Sequence, residues 1–301
     1  MFDLGVEPES CAVQVIPVPW EVTASYGRGT AQGPAAVLRA SHQVDLYDFD
    51  FGEVWQDGIG LLAVDPRIAA CAQSISDEGL VNRASADRTS YVEASVESVL
   101  TRGAIPAVLG GDHSCPLGLI RAMARRHSGL GILHIDAHAD LRVAYQGFEE
   151  SHASIMHNVL ELEGVSHLVG VGWRDVCKEE IVRAQDDSRI VPFWDCHIAR
   201  ARLTGQPFSL IVDSIVSALP PQVHVSFDID GLDPSLCPST GTPVPGGLSF
   251  QEVAYLLRCV SEARTIVSFD LCEVAPGSDE WDANVGARVL YKLACAALSS
   301  R

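Results

Sequence analysis

The sequence has 301 residues, of which 47% are hydrophobic, and its formal net charge at pH 7 is −18, from 21 lysines and arginines against 39 aspartates and glutamates. A chain of this length can bury one large core, and the negative charge argues against a protein that binds nucleic acid through its phosphate backbone. Nine scattered cysteines without a Cys-x-x-Cys pair are typical of reduced, buried thiols and not of a disulfide framework or a thiolate zinc site.

The first residues carry no basic stretch followed by an apolar run, so they do not read as a signal peptide. No uninterrupted apolar run approaches the roughly 18 residues that a membrane span requires. We therefore expect a cytoplasmic protein that interacts with neither membrane nor nucleic acid.

Short apolar runs alternate with helix-patterned segments along almost the whole sequence. Eight runs are predicted as strands: 11–18, 58–64, 104–110, 129–136, 167–172, 188–193, 222–230 and 265–271. Helical periodicity is clearest in 81–103, 114–127, 249–263 and 282–300. Residues 26–41 read as a glycine-bearing loop that leads into a helix near Pro34, and Ser249 followed by Glu252 predicts a capping box.

This alternation of strands and helices favours a parallel sheet that is covered on both faces. The sequence contains neither an internal repeat nor a sharp change of composition. We predict a single α/β domain over residues 1–301, with three α/β/α layers and a mainly parallel sheet of about eight strands.

Polar residues gather where four of the predicted strands end. The segments are GDHS (111–114), DAHADLR (136–142), DIDGLDP (228–234) and EVAP (273–276). Ligands of open parallel sheets bind at the carboxyl ends of the strands. We therefore expect the four segments to face one crevice.

Six side chains in these segments are suited to bind metal ions: His113, Asp136, His138, Asp140, Asp228 and Asp230. Alternate residues of an extended chain share a face, which predicts that the members of each segment converge. Four buried carboxylates would repel one another, so they must either protonate or hold cations. One divalent ion would leave donors unused, and two would use them all. Carboxylates with some histidine favour two Mn²⁺ per chain, with nickel, cobalt and zinc as competitors.

Each segment also has a structural interpretation of its own. A His-x-Asp pattern on a strand is usually structural, and GDHS is compatible with a turn in which Asp112 or Ser114 caps the following helix. Six candidate ligands at neighbouring strand ends favour the metal site over these separate interpretations.

The motifs GGDHS, DAHAD and SFDIDGLDP resemble the three signature motifs of the ureohydrolase family, which includes arginase, agmatinase, guanidinobutyrase and formimidoylglutamase. The likeness covers nearly the full chain, because PVPWEVTASYGRGTAQGPAAVLRAS resembles the family's N-terminal segment and CEVAP its late Glu-Val-x-Pro motif. The resemblance implies an arginase-like fold, cleavage of a linear guanidino group to urea and a primary amine, and a homo-oligomer, either a trimer or a hexamer.

The resemblance also implies how the ligands divide between two manganese ions. One ion would be held by His113, Asp136, Asp140 and Asp228, and the other by Asp136, His138, Asp228 and Asp230. Two aspartates would then bridge the ions, and a hydroxide between the ions would attack the guanidino carbon.

Further roles follow from the same resemblance. Asp140 would move a proton within the reaction intermediate, and Glu273 would pair with the substrate guanidinium. His152 would line the pocket and shuttle protons, and Thr242 would lie near the substrate. The structural alternatives are a strand-end turn for Glu273 and a helix N-terminus capped by Ser151 for His152.

Residues outside the metal shell decide the substrate. Arg142 stands where the arginase branch has an asparagine, and the surrounding pattern resembles the agmatinase branch, so agmatine, which would give putrescine, is the first prediction. His157 and Asn158 replace the Arg-Arg of agmatinase-like sequences and leave other substrates open: 4-guanidinobutyrate or another guanidino acid, free or peptide-borne arginine, and formimidoylglutamate. Arg142, His157 and Asn158 are therefore candidate substrate contacts. Arg142 could bind a substrate carboxylate, but an ion pair with a neighbouring acid is the favoured prediction.

Functions of other classes are disfavoured. A metal-binding member without turnover would be expected to lose ligands, and here the six ligands, Glu273 and His152 are all present. A deacetylase-like single-zinc site would need a His-His pair, which the sequence lacks. The segment GRGTAQG (27–33) has neither a Walker lysine nor the strand that precedes a dinucleotide-binding motif.

Overall fold

One parallel sheet runs through the protein, whose computed structural model describes residues 1–71 and 77–301. Its strands are β1 Val13–Val18, β2 Ile59–Leu61, β3 Ile105–Gly110, β4 Leu130–Ile135, β5 Val165–Val171, β6 Ile190–Phe193, β7 Gln222–Asp228 and β8 Thr265–Cys272. They lie in the order β2-β1-β3-β8-β7-β4-β5-β6, and every neighbouring pair is parallel. All eight predicted strands are therefore confirmed.

Helices cover the sheet on both faces. They are α1 Gly33–Ser41, α2 Pro66–Cys71, α3 Glu78–Thr101, α4 Leu117–Arg126, α5 Ile155–Leu160, α6 Lys178–Asp186, α7 Asp195–Leu203, α8 Phe208–Ala218, α9 Phe250–Ala263 and α10 Trp281–Ser299. The four helices with clear periodicity are present as α3, α4, α9 and α10, and the glycine-bearing loop leads into α1. The predicted capping box opens α9, where the Ser249 N–H donates to Glu252 Oε2 at 2.9 Å and the Glu252 N–H to Ser249 Oγ at 3.3 Å.

Successive strand residues alternate between two hydrophobic clusters, one on each face of the sheet. Val15 and Leu133 pack in a cluster with side chains of α1, α8, α9 and α10. Ile16 and Ile132 pack in the other, with side chains of α3, α4 and α5. Burial of the strands on both faces explains why they read as continuous apolar runs in the sequence. The three-layer α/β/α architecture is confirmed.

The topology brings four of the strand ends together. The strands β3, β8, β7 and β4 are consecutive neighbours in the middle of the sheet, and the four polar segments follow their carboxyl ends. They therefore face one crevice, as predicted. No helix in residues 1–71 or 77–301 has the length and apolar character needed to cross a bilayer.

Candidate metal and catalytic site

The two aspartate-rich segments converge by bending, and not by the extended geometry that the sequence analysis assumed. β4 ends at Ile135, and Asp140 has a φ of 53°, in the left-handed region. The Asp136 carboxylate accepts the backbone N–H of His138 at 2.6 Å, and the Asp228 carboxylate accepts that of Asp230 at 2.8 Å. These bonds turn the chain just beyond the strands, so the prediction of an extended chain is wrong although the side chains do meet.

The first group of side chains surrounds His113, which is almost completely buried. Its Nδ1 atom lies 2.9 Å from Asp136 Oδ2, 3.2 Å from Asp228 Oδ2 and 3.4 Å from Asp140 Oδ2. The Nε2 atom lies 2.9 Å from the hydroxyl of Ser226, which orients the ring so that Nδ1 faces the carboxylates.

The second group surrounds His138. Its Nδ1 atom lies 3.2 Å from Asp230 Oδ2 and 3.3 Å from Asp136 Oδ1. The two oxygens of Asp136 thus face different histidines, which is the arrangement a carboxylate needs to bridge two ions. The structure brings all six predicted ligands together, with Asp228 next to His113, and oxygen and imidazole donors of this kind suit divalent cations.

Electrostatics within the cluster are those of a site that needs cations. Burial and the charge of Asp136 raise the pKa of Asp140, and burial with the charges of Asp230 and Asp136 raises that of Asp228 well above its usual range. Burial opposes protonation of His138, but the carboxylates of Asp230 and Asp136 raise its pKa to about 12. Without cations, protons must therefore neutralise part of this charge.

Two further buried residues, His134 and Trp173, support the cluster, and neither was predicted from the sequence. The Nε1–H of Trp173 donates to His134 Nδ1 at 3.1 Å, which leaves the ring proton on Nε2. His134 Nε2 then donates to Asp136 Oδ2 at 2.9 Å. The available signal was that His134 precedes Asp136 by two positions, on the same face of the predicted strand 129–136.

A cavity of about 250 Å³ opens beside the cluster. Its walls include the predicted residues His138, Asp140, Arg142, His152 and Thr242, together with residues that were not predicted, among them Ser25, Tyr145 and Asp175. The Thr242 hydroxyl donates to Asp230 Oδ2 at 3.3 Å. Two predicted metal ligands, His138 and Asp140, and three predicted pocket residues thus meet around one space large enough for a small substrate.

Arg142 lies in this cavity without the ion pair that the sequence analysis favoured. Its guanidinium stacks over the ring of Tyr145, 4.9 Å from the ring centroid. Among the residues that the structure describes, no carboxylate oxygen lies within 4 Å of it. The preferred prediction is therefore wrong, because the aromatic ring and not an acid holds this side chain.

His157 and Asn158 are not brought into the cavity. His157 lines a neighbouring surface pocket with Glu179 and Arg183. The Asn158 amide donates to two backbone carbonyls, at 3.0 and 2.9 Å, and so ties the start of α5 to the preceding loop. The helix turns both side chains away from the substrate side, which corrects their placement as substrate contacts.

Glu273 is buried beside the cluster, with a φ of 62°, and is not among the residues that line this cavity. Its Oε1 atom accepts the backbone N–H of His113 at 3.0 Å. A Cβ atom at Gly241 would lie 3.0 Å from Oε2, so the glycine keeps the approach to this oxygen open. Burial, and the charges of Asp112 and Asp230, raise the pKa of Glu273 well above its usual range.

His152 both follows a helix cap and borders the cavity, so its structural and its functional interpretation are compatible. Ser151 caps the short 3₁₀ helix His152–Ser154, since its hydroxyl accepts the N–H of Ala153 at 3.2 Å. The imidazole meanwhile borders the cavity, with its Nε2 atom 3.1 Å from the hydroxyl of Ser25. The cap thus presents the ring to the substrate side.

Comparisons with known proteins agree with this architecture. A profile of the arginase family matches residues 11–296. The chain is 32% identical over 283 residues to N(1)-aminopropylagmatine ureohydrolase of Thermus thermophilus, covering 94% of this chain and 89% of that one. It is 34% identical over 208 residues to an agmatinase of Bacillus subtilis, covering 67% of each. The agmatine ureohydrolase of Thermoplasma volcanium has the same fold, with a TM-score of 0.78 at 24% identity, covering 98% of this chain and 92% of that one.

Proposed function

The chain belongs to the arginase family and is a ureohydrolase, and from this premise we propose that it hydrolyses agmatine, or a longer amine that carries the agmatine group, to urea and a primary amine. Two relatives support this substrate class, because one is named for N(1)-aminopropylagmatine and the other for agmatine. Free arginine is disfavoured, since Arg142 stands where the arginase branch has an asparagine, and the arginase contacts to a free α-amino acid end are therefore missing.

An exposed carboxylate at the cavity is the observation that carries the proposal. The Asp175 side chain is 70% exposed and lies on the cavity wall, with its Oδ2 atom 3.9 Å from His138 Nε2. A substrate whose guanidino group reaches the buried cluster would pass its other end beside this carboxylate. A cationic amine there gains an ion pair, and the net charge of −18 attracts polyamines in general.

Enzymes of this family depend on a binuclear metal centre, and we infer manganese as the metal. Four carboxylates with two imidazoles suit Mn²⁺ better than softer ions. The carboxylates of Asp136, Asp140, Asp228 and Asp230 offset the charge of two divalent cations. When bound, two such ions lower the pKa of a water and so supply a nucleophile at neutral pH.

Glu273 would bind the guanidinium. Its Oε1 accepts the N–H of His113, whereas Oε2 lies beside Gly241, where a Cβ atom would stand 3.0 Å away. A guanidinium beside this buried carboxylate would stabilise its ionised form and gain charge-assisted hydrogen bonds. The pair would hold the guanidino carbon in one plane next to the metal ligands.

Two side chains on the cavity wall would handle the proton that the leaving amine requires. Asp140 borders both the cavity and the ligand cluster, so its carboxylate can move a proton from the attacking oxygen. His152 also lines the cavity, where an imidazole can deliver a proton to the departing amine.

A guanidino acid is the second candidate substrate, because Arg142 has no carboxylate partner within the described part of the chain. Its guanidinium borders the same cavity and is held by stacking on Tyr145, which leaves its N–H groups free for a bidentate contact with a carboxylate. 4-Guanidinobutyrate would provide that contact.

Two substitutions distinguish the candidates. Asp175→Asn should lower kcat/KM for agmatine about fivefold, since an exposed ion pair contributes about 1 kcal/mol, and should leave 4-guanidinobutyrate unaffected. If the substrate is a guanidino acid, Arg142→Leu should lower kcat/KM for 4-guanidinobutyrate and leave that for agmatine unaffected. Asp213→Asn, which removes an exposed carboxylate of α8, is the matched control for net charge. Preference for 4-guanidinobutyrate in the unmodified protein would overturn the agmatine proposal.

We also propose a homo-oligomer, a trimer or a hexamer. An exposed aromatic pair supports an interface, because Tyr47 and Phe49 lie edge to face at 5.8 Å and Phe49 is 97% exposed. Light scattering should give the mass of three or six chains, and Phe49→Asp should lower it.

A further inference from the structure

The loop that follows β1 crosses the carboxyl ends of the central strands. The backbone N–H of Asp112 donates to the carbonyl of Trp20 at 2.7 Å, and the N–H of Gly27 donates to that of Gly241 at 2.9 Å. The loop is thus bonded at one end to the segment that carries His113, and at the other to the segment that lies against Glu273.

Thr23 anchors the middle of this loop. Its backbone N–H and its hydroxyl both donate to Asp112 Oδ2, at 3.1 and 2.8 Å. The same hydroxyl oxygen accepts the backbone N–H of His152 at 3.2 Å. One side chain therefore joins the segment of the metal ligand His113 to the start of the helix that carries His152.

A buried guanidinium, that of Arg88, lies close to the hydrogen bonds between Thr23 and Asp112. Asp112, Ser114 and Arg88 are all fully or almost fully buried. The hydroxyl of Ser114 donates to Asp112 and accepts from the guanidinium of Arg88, which stacks over Trp20 at 4.9 Å. The Asp112 carboxylate accepts four hydrogen bonds in all, two from Thr23 and two from the N–H and hydroxyl of Ser114, which hold it in one orientation.

Ser25, two residues after this anchor, meets the imidazole itself. Its hydroxyl lies 3.1 Å from His152 Nε2, and both side chains border the cavity. The other ring nitrogen lies 3.3 Å from the hydroxyl of Ser151, and the ring of Tyr145 stands edge to face at 5.9 Å. Of these contacts, only Ser25 reaches the nitrogen on the cavity side from a separate part of the chain.

We infer that Ser25 is a positioning residue for His152: the anchored loop holds its hydroxyl against Nε2, so the imidazole keeps one orientation at the cavity wall, and Nε2 exchanges this contact for the leaving amine when it gives up its proton. This inference rests on the proposed function, because it requires His152 to transfer a proton. The GDHS segment would then have two functions, because His113 is a predicted metal ligand and Asp112 fixes the loop that carries Ser25.

Kinetics of the manganese-loaded full chain test the inference. Ser25→Ala should lower kcat about tenfold and leave KM and metal content unchanged. The loss should be smaller than the roughly 10²-fold or larger effect of removing a general acid, because the imidazole itself is retained. Ser25→Thr, which keeps the hydroxyl, should restore most of the rate. In a His152→Ala background, Ser25→Ala should change kcat by less than about twofold, because its effect passes through the ring.

Two controls separate positioning from general damage. Thr23→Val should lower kcat as Ser25→Ala does, whereas Thr23→Ser, which keeps both hydrogen bonds, should not. Ser90→Ala removes an exposed hydroxyl of α3 and should leave kcat unchanged. An equal loss from Ser25→Ala with and without His152 would overturn the inference, as would an unchanged kcat in the Ser25→Ala variant.

Crystal structures of the manganese-loaded protein test whether Ser25 orients the His152 ring even if the protein hydrolyses no guanidino compound. The Ser25 to Nε2 contact should be present in the unmodified protein, and the His152 ring should rotate or become disordered in Ser25→Ala. An unchanged ring would overturn the inference. A protein with two ions bound that releases no urea, but with the ring held by Ser25, would instead contradict only the proposed function.

Discussion

His134 donates from Nε2 to the Oδ2 atom of Asp136 at 2.9 Å, and Trp173 fixes the ring from its other side. The carboxylate in question is the one that faces both His113 and His138. Its orientation therefore controls both halves of the metal site at once.

His134→Phe should accordingly weaken metal binding, by about 10- to 100-fold, because Asp136 loses the donor that orients it. His134→Gln, which can still donate from a similar position, should lose less. Equilibrium dialysis against Mn²⁺ measures both values. His167→Phe, on the neighbouring strand β5 and outside the cluster, is the control. Equal affinity in His134→Phe and the unmodified protein would show that Asp136 needs no such support.

Glu273 and Asp230 should separate substrate binding from metal binding. Glu273→Ala should retain two metal ions per chain and lose activity, because it removes the proposed partner of the guanidinium. Asp230→Ala should lose both bound metal and activity. Metal content by mass spectrometry, together with urea release, distinguishes the two variants. Full activity in Asp230→Ala would exclude a two-metal mechanism.

Metal binding should release protons, so affinity should rise with pH. Burial opposes protonation of His113, but its hydrogen bonds to Asp136 and Asp140 raise its pKa well above the usual range, and His138 is raised to about 12. Both rings therefore hold a proton more strongly than a free imidazole does, and a ring nitrogen must give up its proton to bind a metal. The raised pKa of Asp228 acts in the same direction. Calorimetry in buffers of different ionisation enthalpy counts the protons, and net proton uptake would contradict the prediction.

Gly111 should be intolerant of a side chain. A Cβ atom there would lie 1.8 Å from the carbonyl oxygen of Trp20, where the loop after β1 crosses the GDHS segment. Gly111→Ala should lower the free energy of unfolding by about 3 kcal/mol. Gly79→Ala, in an exposed first turn of α3, should instead raise it by about 0.5 to 1 kcal/mol. Urea unfolding midpoints measure both, and a neutral Gly111→Ala would show that the loop can move.

The parts of this architecture that sequence could predict are those encoded by local pattern. Buried parallel strands are apolar on both faces, so β1 to β8 were recognisable as runs, and polar segments at strand ends identified the cavity side. The capping box of Ser249 depends on residues three apart and was equally readable.

The remaining features depend on contacts between distant segments. Ser25 meets His152 across 127 positions, and Trp173 meets His134 across 39, so no local pattern reveals either. The left-handed φ at Asp140, which replaced the expected extended chain, arises where the loop folds back to the cluster. Arg142 was expected beside an acid, because charge alone does not predict stacking on Tyr145.

The most direct measurement is a titration of metal-free protein with Mn²⁺, in which bound metal and the rate of urea release from agmatine are followed together. The site has ligands for two ions, with Asp136 shared between His113 and His138. Activity should therefore appear with the second bound ion per chain and reach its maximum at two. A rate that saturates at one bound ion, or no urea from agmatine at two, would contradict this account.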